Sequence, residues 1–130
     1  MAVSLSANAR QMLDGKTVVT LATLNDDGSP QASPVWVTRD GDHVLMSTLE
    51  GRQKARNLRR DPRATVVAVN AENPYEYVEI RGIVSLEPDE AGELVETLSQ
   101  KYTGGSYTLD GPDDVRVIVR LTPERVTGNS

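Results

Sequence analysis

A chain of 130 residues with a formal net charge of −5 is long enough for one domain with its own core, and 4% aromatic content with no Phe means a core of Val, Leu, Ile and Ala. The absence of cysteine excludes disulfides, Cys-ligated zinc, iron–sulfur clusters and thiol catalysis, and one histidine, His43, is too little for a His-rich metal site or for most catalytic triads. No signal peptide and no apolar run approaching ~20 residues is visible, so the expectation is a soluble cytoplasmic protein without a membrane span, a single domain over 1–130.

Ser6 to Leu13 reads as a short helix capped by Ser4 or Ser6 and ended by Asp14-Gly15. Lys16 to Leu24 is β-prone, and the turn Asn25 to Pro30 leads into a second strand, Gln31 to Thr38. A tight turn at Arg39-Asp40-Gly41-Asp42 leads to a third, His43 to Thr48; three strands joined by hairpins make an antiparallel meander. A basic helix follows, then a strand at Ala64 to Asn70 and a long strand at Tyr75 to Leu86, where Gly82 signals a bulge or a close backbone approach.

Pro88 to Tyr102 has Ala91, Leu94, Val95 and Leu98 at helical spacing, with acidic residues in its first turn. Thr103 to Asp113 is a glycine-rich loop, a lid or a plain connection. Val115 to Leu121 closes the sheet, with Pro123 and a short Arg125-Val126-Thr127 segment after it. The sum is a mainly β (α+β) domain, a small antiparallel barrel of six or seven strands carrying peripheral helices.

Six of the 14 Lys and Arg fall between positions 52 and 63: Arg52, Lys54, Arg56, Arg59, Arg60 and Arg63. With Asp61 the stretch carries about +5, which leaves about −10 on the rest. A concentrated positive site on an acidic body points to a small anionic ligand, whereas nucleic acid needs a broad basic footprint. The residues from Gly51 to Arg60 favour a helix that Asp61-Pro62 ends, since a residue before proline avoids the helical region. Ser47 to Gly51 then lead into its N-terminus, where free N–H groups and the helix dipole suit a phosphate or carboxylate. Arg52, Arg56 and Arg59 share one face, Ala55 and Leu58 share the face for the sheet, and Lys54 and Asn57 form a polar pair beside it. A solvated charged helix is the alternative.

Three strings, Gly28 to Trp36, Asp42 to Thr48 and Arg52 to Arg63, occur in an order that resembles the split-barrel flavin and deazaflavin proteins related to pyridoxamine 5′-phosphate oxidase. The resemblance covers nearly the whole domain, and its specific part is Lys54-Ala55-Arg56-Asn57-Leu58-Arg59-Arg60-Asp61-Pro62-Arg63. It implies an FMN-binding type of split barrel, a homodimer with cofactor sites at the interface, and a small-molecule substrate. By position, Arg52 and Lys54 match residues that contact the cofactor phosphate or acidic tail, and Asn57 matches the polar residue beside them. Ser47 and Thr48 match the strand end under the ring, and Ser33, Val35 and Trp36 match the strand that lines it.

Members of the family use FMN or the deazaflavin F420. Six cations exceed the need of one FMN phosphate, and the Arg-rich, short chain resembles the actinobacterial F420-dependent branch, so F420 is the expected cofactor with FMN as the alternative. Arg116, Arg120 and Arg125 are available near the C-terminus, but the chain is shorter than pyridoxamine phosphate oxidases normally are, which argues against vitamin B6 oxidation. The implied chemistry is hydride transfer from reduced F420 to an activated double bond. No catalytic residue is assigned; Tyr75, Tyr77, Tyr102 and Tyr107 are the obvious proton donors, and a carrier that binds cofactor without turnover is the reading from another class. Arg59, Arg60 and Arg63 read as solvated or ion-paired residues and His43 as structural.

Overall fold

The structure is a computed structural model that describes residues 2–129. In chain order it contains α1 (Ala7–Asp14), β1 (Val19–Leu24), β2 (Pro30–Val35), β3 (Thr38–Asp40), β4 (His43–Leu49), α2 (Gln53–Arg60), β5 (Arg63–Val69), β6 (Tyr77–Pro88), α3 (Glu93–Thr103) and β7 (Arg116–Gly128). All strand pairings are antiparallel, in the order β2-β1-β5-β6-β7-β4-β3.

That order forces the sheet to roll. β2 and β3 are its two edges, yet only Trp36 and Val37 separate them in the chain. Laid flat, six inter-strand steps would put those edges roughly 29 Å apart, while the three residue steps from Val35 to Thr38 reach about 10 Å at most. The sheet therefore curls until its edges meet, without a hydrogen-bonded ladder between them, and the result is a split barrel. The three-strand meander expected over the first half is corrected here: the chain turns a corner at Trp36-Val37, and what reads as one strand from Gln31 to Thr38 is two, on opposite edges.

Alternation along the strands fills the interior. Val44 and Met46 of β4 meet Val119 and Leu121 of β7, with Leu21, Val37, Val66 and Ile80 in the same cluster. Helix α1 covers one end with Leu5, Ala9, Met12 and Leu13, and its cap is Ser6, whose Oγ accepts from the Ala9 N–H at 3.1 Å.

Gly82 does both things anticipated for it. The β6–β7 register shifts between Arg81 and Gly82, and a Cβ on Gly82 would lie 2.1 Å from the Thr122 carbonyl oxygen. The bulge faces Pro123, which cannot donate to a ladder, so β7 continues through the proline as one strand instead of ending before it. The helix expected from Pro88 begins five residues later, at Glu93, because β6 runs on to Pro88. The Asp89 carboxylate then holds the Glu93 and Leu94 N–H groups at 2.9 and 3.0 Å, closing the free amides of the α3 N-terminus. No helix among the described residues is long and apolar enough to cross a membrane.

Candidate functional site

Helix α2 ends as anticipated before Pro62, with the Asp61 N–H donating to the Asn57 carbonyl. Ala55 and Leu58 are buried beneath it. Its cations divide sharply. Arg59 pairs with Glu50, Arg60 reaches the Leu24 carbonyl and lies 3.7 Å from Asp26, and Arg63 pairs with Asp61 at 2.7 Å. That hydrogen bond holds the Asp61 carboxyl down at about 2. Arg56 donates to the Gly51 carbonyl and to the Gln53 side chain. Arg52 and Lys54 alone in the stretch have side chains that make no hydrogen bond or ion pair with a described residue, although the Arg52 charge helps to lower the pKa of Asp110.

Asn57 is not the outward polar partner of Lys54 that its spacing implied. It has no exposed surface, donates to Thr23 Oγ1 and Asn25 Oδ1 at 2.9 Å each, and accepts from Gln53 Nε2 at 2.8 Å. Thr23 in turn donates to Gln31 at 3.1 Å. Helix period puts Asn57 beside Lys54, but the β1–β2 hairpin packs against that side of α2 and takes both donors of the Asn57 amide, while Gln53 of the same helix takes its oxygen. The residue locks the helix to the hairpin.

Above the N-terminus of α2 lies a cleft of about 360 Å³. One wall is Val18 with Pro34, Val35 and Trp36 from the β2 edge; the other is Val95 and Leu98 of α3; Ser47, Lys54, Tyr107 and Arg116 supply its polar groups. A ligand in it would meet apolar walls and cations at one end, the common build of a small-molecule site. Burial, and then repulsion from Arg52, hold the half-buried Lys54 ammonium below its ordinary value, so an anion beside it would relieve both.

Strand alternation sorts the remaining expected residues. Ser47 faces the cleft, while Thr48, its neighbour, is turned with Val44 and Met46 into the core and is 3% exposed. The Thr48 hydroxyl and that of Ser33 are buried and have no hydrogen-bond partner. Of the eight residues singled out in the sequence, Val35, Trp36, Ser47 and Lys54 line the cleft, Arg52 caps the adjoining helix, and Ser33, Thr48 and Asn57 lie outside the lining.

The cleft also contains Arg116, named from the sequence only as one of three arginines available near the C-terminus, and Tyr107, named only among the possible proton donors. Arg116, at the start of β7, donates to both Asp110 oxygens at 2.8 and 2.9 Å, to the Tyr107 hydroxyl at 2.8 Å, and weakly to Ser47 Oγ at 3.4 Å. Its guanidinium sits 4.9 Å from the Tyr107 ring centroid. Burial opposes the Arg116 charge, but the bonds and charge of Asp110 and Tyr107 outweigh it and hold the pKa above its ordinary value. The signal for Arg116 was its polar place in an alternating strand, and nothing local distinguishes it from Arg120, which pairs with Glu87 and Asp40 and lies 3.3 Å from the ring of His43.

Among the tyrosines, only Tyr107 reaches the cleft. Tyr102 stacks on Trp36, accepts from the Val37 N–H at 3.0 Å and donates to the Thr17 carbonyl at 2.6 Å, so its phenol is committed to the corner between β2 and β3. Lys101 braces the same corner, donating to the Leu13 and Val37 carbonyls at 2.6 Å each. Tyr75 and Tyr77 are exposed and line no part of the cleft.

The rolled sheet and the cleft between its edge and α3 define a split-barrel protein with a candidate small-molecule cleft beside a basic helix. The pattern of the pyridoxamine 5′-phosphate oxidase family matches residues 5–130, and the chain belongs to that family. Among solved structures it is similar to one described as an F420 reductase, with 30% identity over 95% of this chain and 98% of that one, and a TM-score of 0.84. A conserved hypothetical protein from Mycobacterium tuberculosis is 26% identical over 98% of this chain and 85% of its own, with a TM-score of 0.77. General Stress Protein 26 from Bacillus anthracis, at 19% identity, 91% and 88% coverage and a TM-score of 0.69, shares the fold.

Proposed function

We propose that the protein is an F420-dependent reductase that passes a hydride to an activated double bond of a small organic substrate. The observation that carries this reading is the pair Lys54, which lines the cleft, and Arg52, at the N-cap position of the same helix; among the described residues their side chains have no ion-pair partner, in a stretch whose other four cations have internal partners. Likeness to an F420 reductase over 95% of the chain favours the deazaflavin over FMN. The count of six cations no longer does so, because internal partners already occupy four of them.

The residues present fit a ring with an anionic tail. In a cleft of about 360 Å³, Val35, Trp36 and Leu98 would hold a ring system, and Lys54 with the nearby Arg52 would hold the anionic tail. The chemistry such a cofactor supplies is hydride transfer, and the protein's part is to bind, orient and exclude water. Lys54 and Arg52 anchor the charged end, Ser47 offers a hydroxyl beside the ring, and Val18, Val95 and Leu98 keep the walls dry. Tyr107 is the phenol that lines the cleft; its oxygen accepts from Arg116, and its hydroxyl also engages the Asp110 carboxylate. One wall is β2, which among the described residues is laddered to β1 on one side and to no strand on the other, and this favours a homodimer whose second copy completes the site.

The test is a parallel titration with oxidised F420 and FMN, read from the fluorescence of Trp36, the single tryptophan. Tight F420 binding with weak FMN binding is expected, followed by oxidation of reduced F420 in the presence of activated alkenes. Preference for FMN would move the protein to the flavin branch. Tight F420 binding without turnover on any alkene would make it a carrier, and binding of neither would sink the reading.

A further inference from the structure

The segment from Thr108 to Asp114 is held to the body of the protein by very little. Leu109 is 82% exposed and residues 111–115 are exposed throughout. The Gly111 N–H bonds to Asp114 and the Asp114 N–H to the Gly111 carbonyl, both inside the segment. Among the described residues its one side-chain tie to a β-strand is the two-toothed pair of Asp110 with Arg116, and Asp110 also engages the neighbouring Tyr107 hydroxyl. Arg116 is the less exposed partner, at 11% side-chain exposure against 25% for Asp110. Segments with few buried contacts open at low cost.

Arg116 itself is held in place from several sides. It starts β7, is paired opposite Leu49 of β4, and is packed against the Tyr107 ring. A fixed guanidinium facing a cleft and a carboxylate brought to it by a weakly held loop form a pair whose acid half can be exchanged. A planar fork binds any carboxylate or phosphate in the geometry it gives Asp110. We infer that Arg116 is a ligand-binding residue of the cleft, that Asp110 is a built-in carboxylate which an oxyanion of an incoming ligand replaces, and that this exchange frees residues 108–114. The ligand class is a small molecule bearing a carboxylate or phosphate, held at a point additional to Lys54 and Arg52. No step involves the cofactor, so the inference stands or falls independently of F420.

The experiment uses inorganic phosphate as probe at constant ionic strength, with chloride as the balancing salt. The chain has no cysteine, so L109C gives one attachment point for a nitroxide whose line shape reports motion of the segment. Phosphate is expected to narrow the spectrum of the labelled protein, and D110N to narrow it without phosphate. Asp110→Asn should also tighten phosphate binding by roughly tenfold, read from Trp36 fluorescence, and adding Arg116→Gln to that variant should erase the gain; tenfold is about 1.4 kcal/mol. Thermal melts of D110N check that the fold is retained, as its loop position predicts. Equal phosphate affinity in D110N and its parent overturns the inference. So does a gain that survives R116Q, or an unchanged nitroxide spectrum once phosphate is bound.

Discussion

Trp36 and Tyr102 lie face to face, ring centroids 5.2 Å apart and planes 8° from parallel. One ring belongs to the corner where the chain leaves one sheet edge for the other, and its partner to the last turn of α3. The stack ties the cleft wall to the helix opposite, and the Tyr102 hydroxyl satisfies the buried N–H of Val37. Tyr102→Phe keeps the stack but strands that N–H, so it should cost about 1–3 kcal/mol in urea denaturation while Trp36 emission in the folded state stays close to wild type. A loss under about 0.5 kcal/mol would mean that water or another group replaces the hydroxyl.

The Asn57 network predicts a stability effect where family position alone would suggest a binding one. Asn57→Leu leaves the buried Thr23 hydroxyl without its donor, removes the ties to Asn25 and Gln53, and should destabilise by about 1–3 kcal/mol. Denaturant midpoints for this variant and for R52A/K54A should differ clearly, with the second close to wild type. Equal midpoints would remove the locking role given to Asn57.

For the anchor pair, replacing Arg52 and Lys54 with Ala should weaken binding of the anionic cofactor by about 1–3 kcal/mol per lost charge-assisted contact. The pH dependence has a definite sign. Because burial and then Arg52 hold Lys54 below the ordinary lysine value of 10.5, its charge is lost at a lower pH than on an exposed lysine. Affinity for an anion should therefore fall as pH rises through that lowered value, and the Lys54→Met variant should lose this step. Fluorescence titrations at a series of pH values would show it, and matching profiles in the two proteins would rule it out.

Gly82→Ala puts a Cβ 2.1 Å from the Thr122 carbonyl oxygen, in a place where backbone has to move. Overpacking of this kind costs typically 1–3 kcal/mol. The adjoining Ile83, 37% exposed, is the control: Ile83→Thr should change stability by about 0.5 kcal/mol or less. Comparable melting temperatures for the two variants would show that β7 gives way at the bulge.

At Asp61, the Arg63 side chain and backbone hold the carboxyl at about 2, below its ordinary 3.8. A lowered carboxylate pKa contributes stability above the ordinary value and loses it as pH falls through the folded one, between about 4 and 2 here. In Arg63→Ala, NMR titration of Asp61 should return the pKa toward 3.8. A value still near 2 would assign the shift to the helix end instead of to Arg63.

What the sequence determined by itself was local. Alternation located nearly every strand, Asp61-Pro62 ended α2, Ser6 capped α1 and Gly82 marked its bulge, because each depends on residues a few positions apart. The concentration of charge from Arg52 to Arg63 was legible for the same reason, whereas Val35, Trp36, Ser47 and Lys54 were singled out through the family resemblance of their strings. Tertiary structure decided the rest. Whether a cation is free or paired depends on Glu50, Asp26 and Leu24, which the fold delivers from other elements. The split at Trp36-Val37 follows from two strand edges that must meet, and the inward turn of Asn57 from a hairpin packed on its helix. Arg116 became a cleft residue only when β7 paired with β4 and brought Tyr107 and Asp110 over Ser47. Local pattern constrains backbone and burial, but a site assembled from α2, β4, α3 and β7 exists only once long-range pairing has fixed their distances.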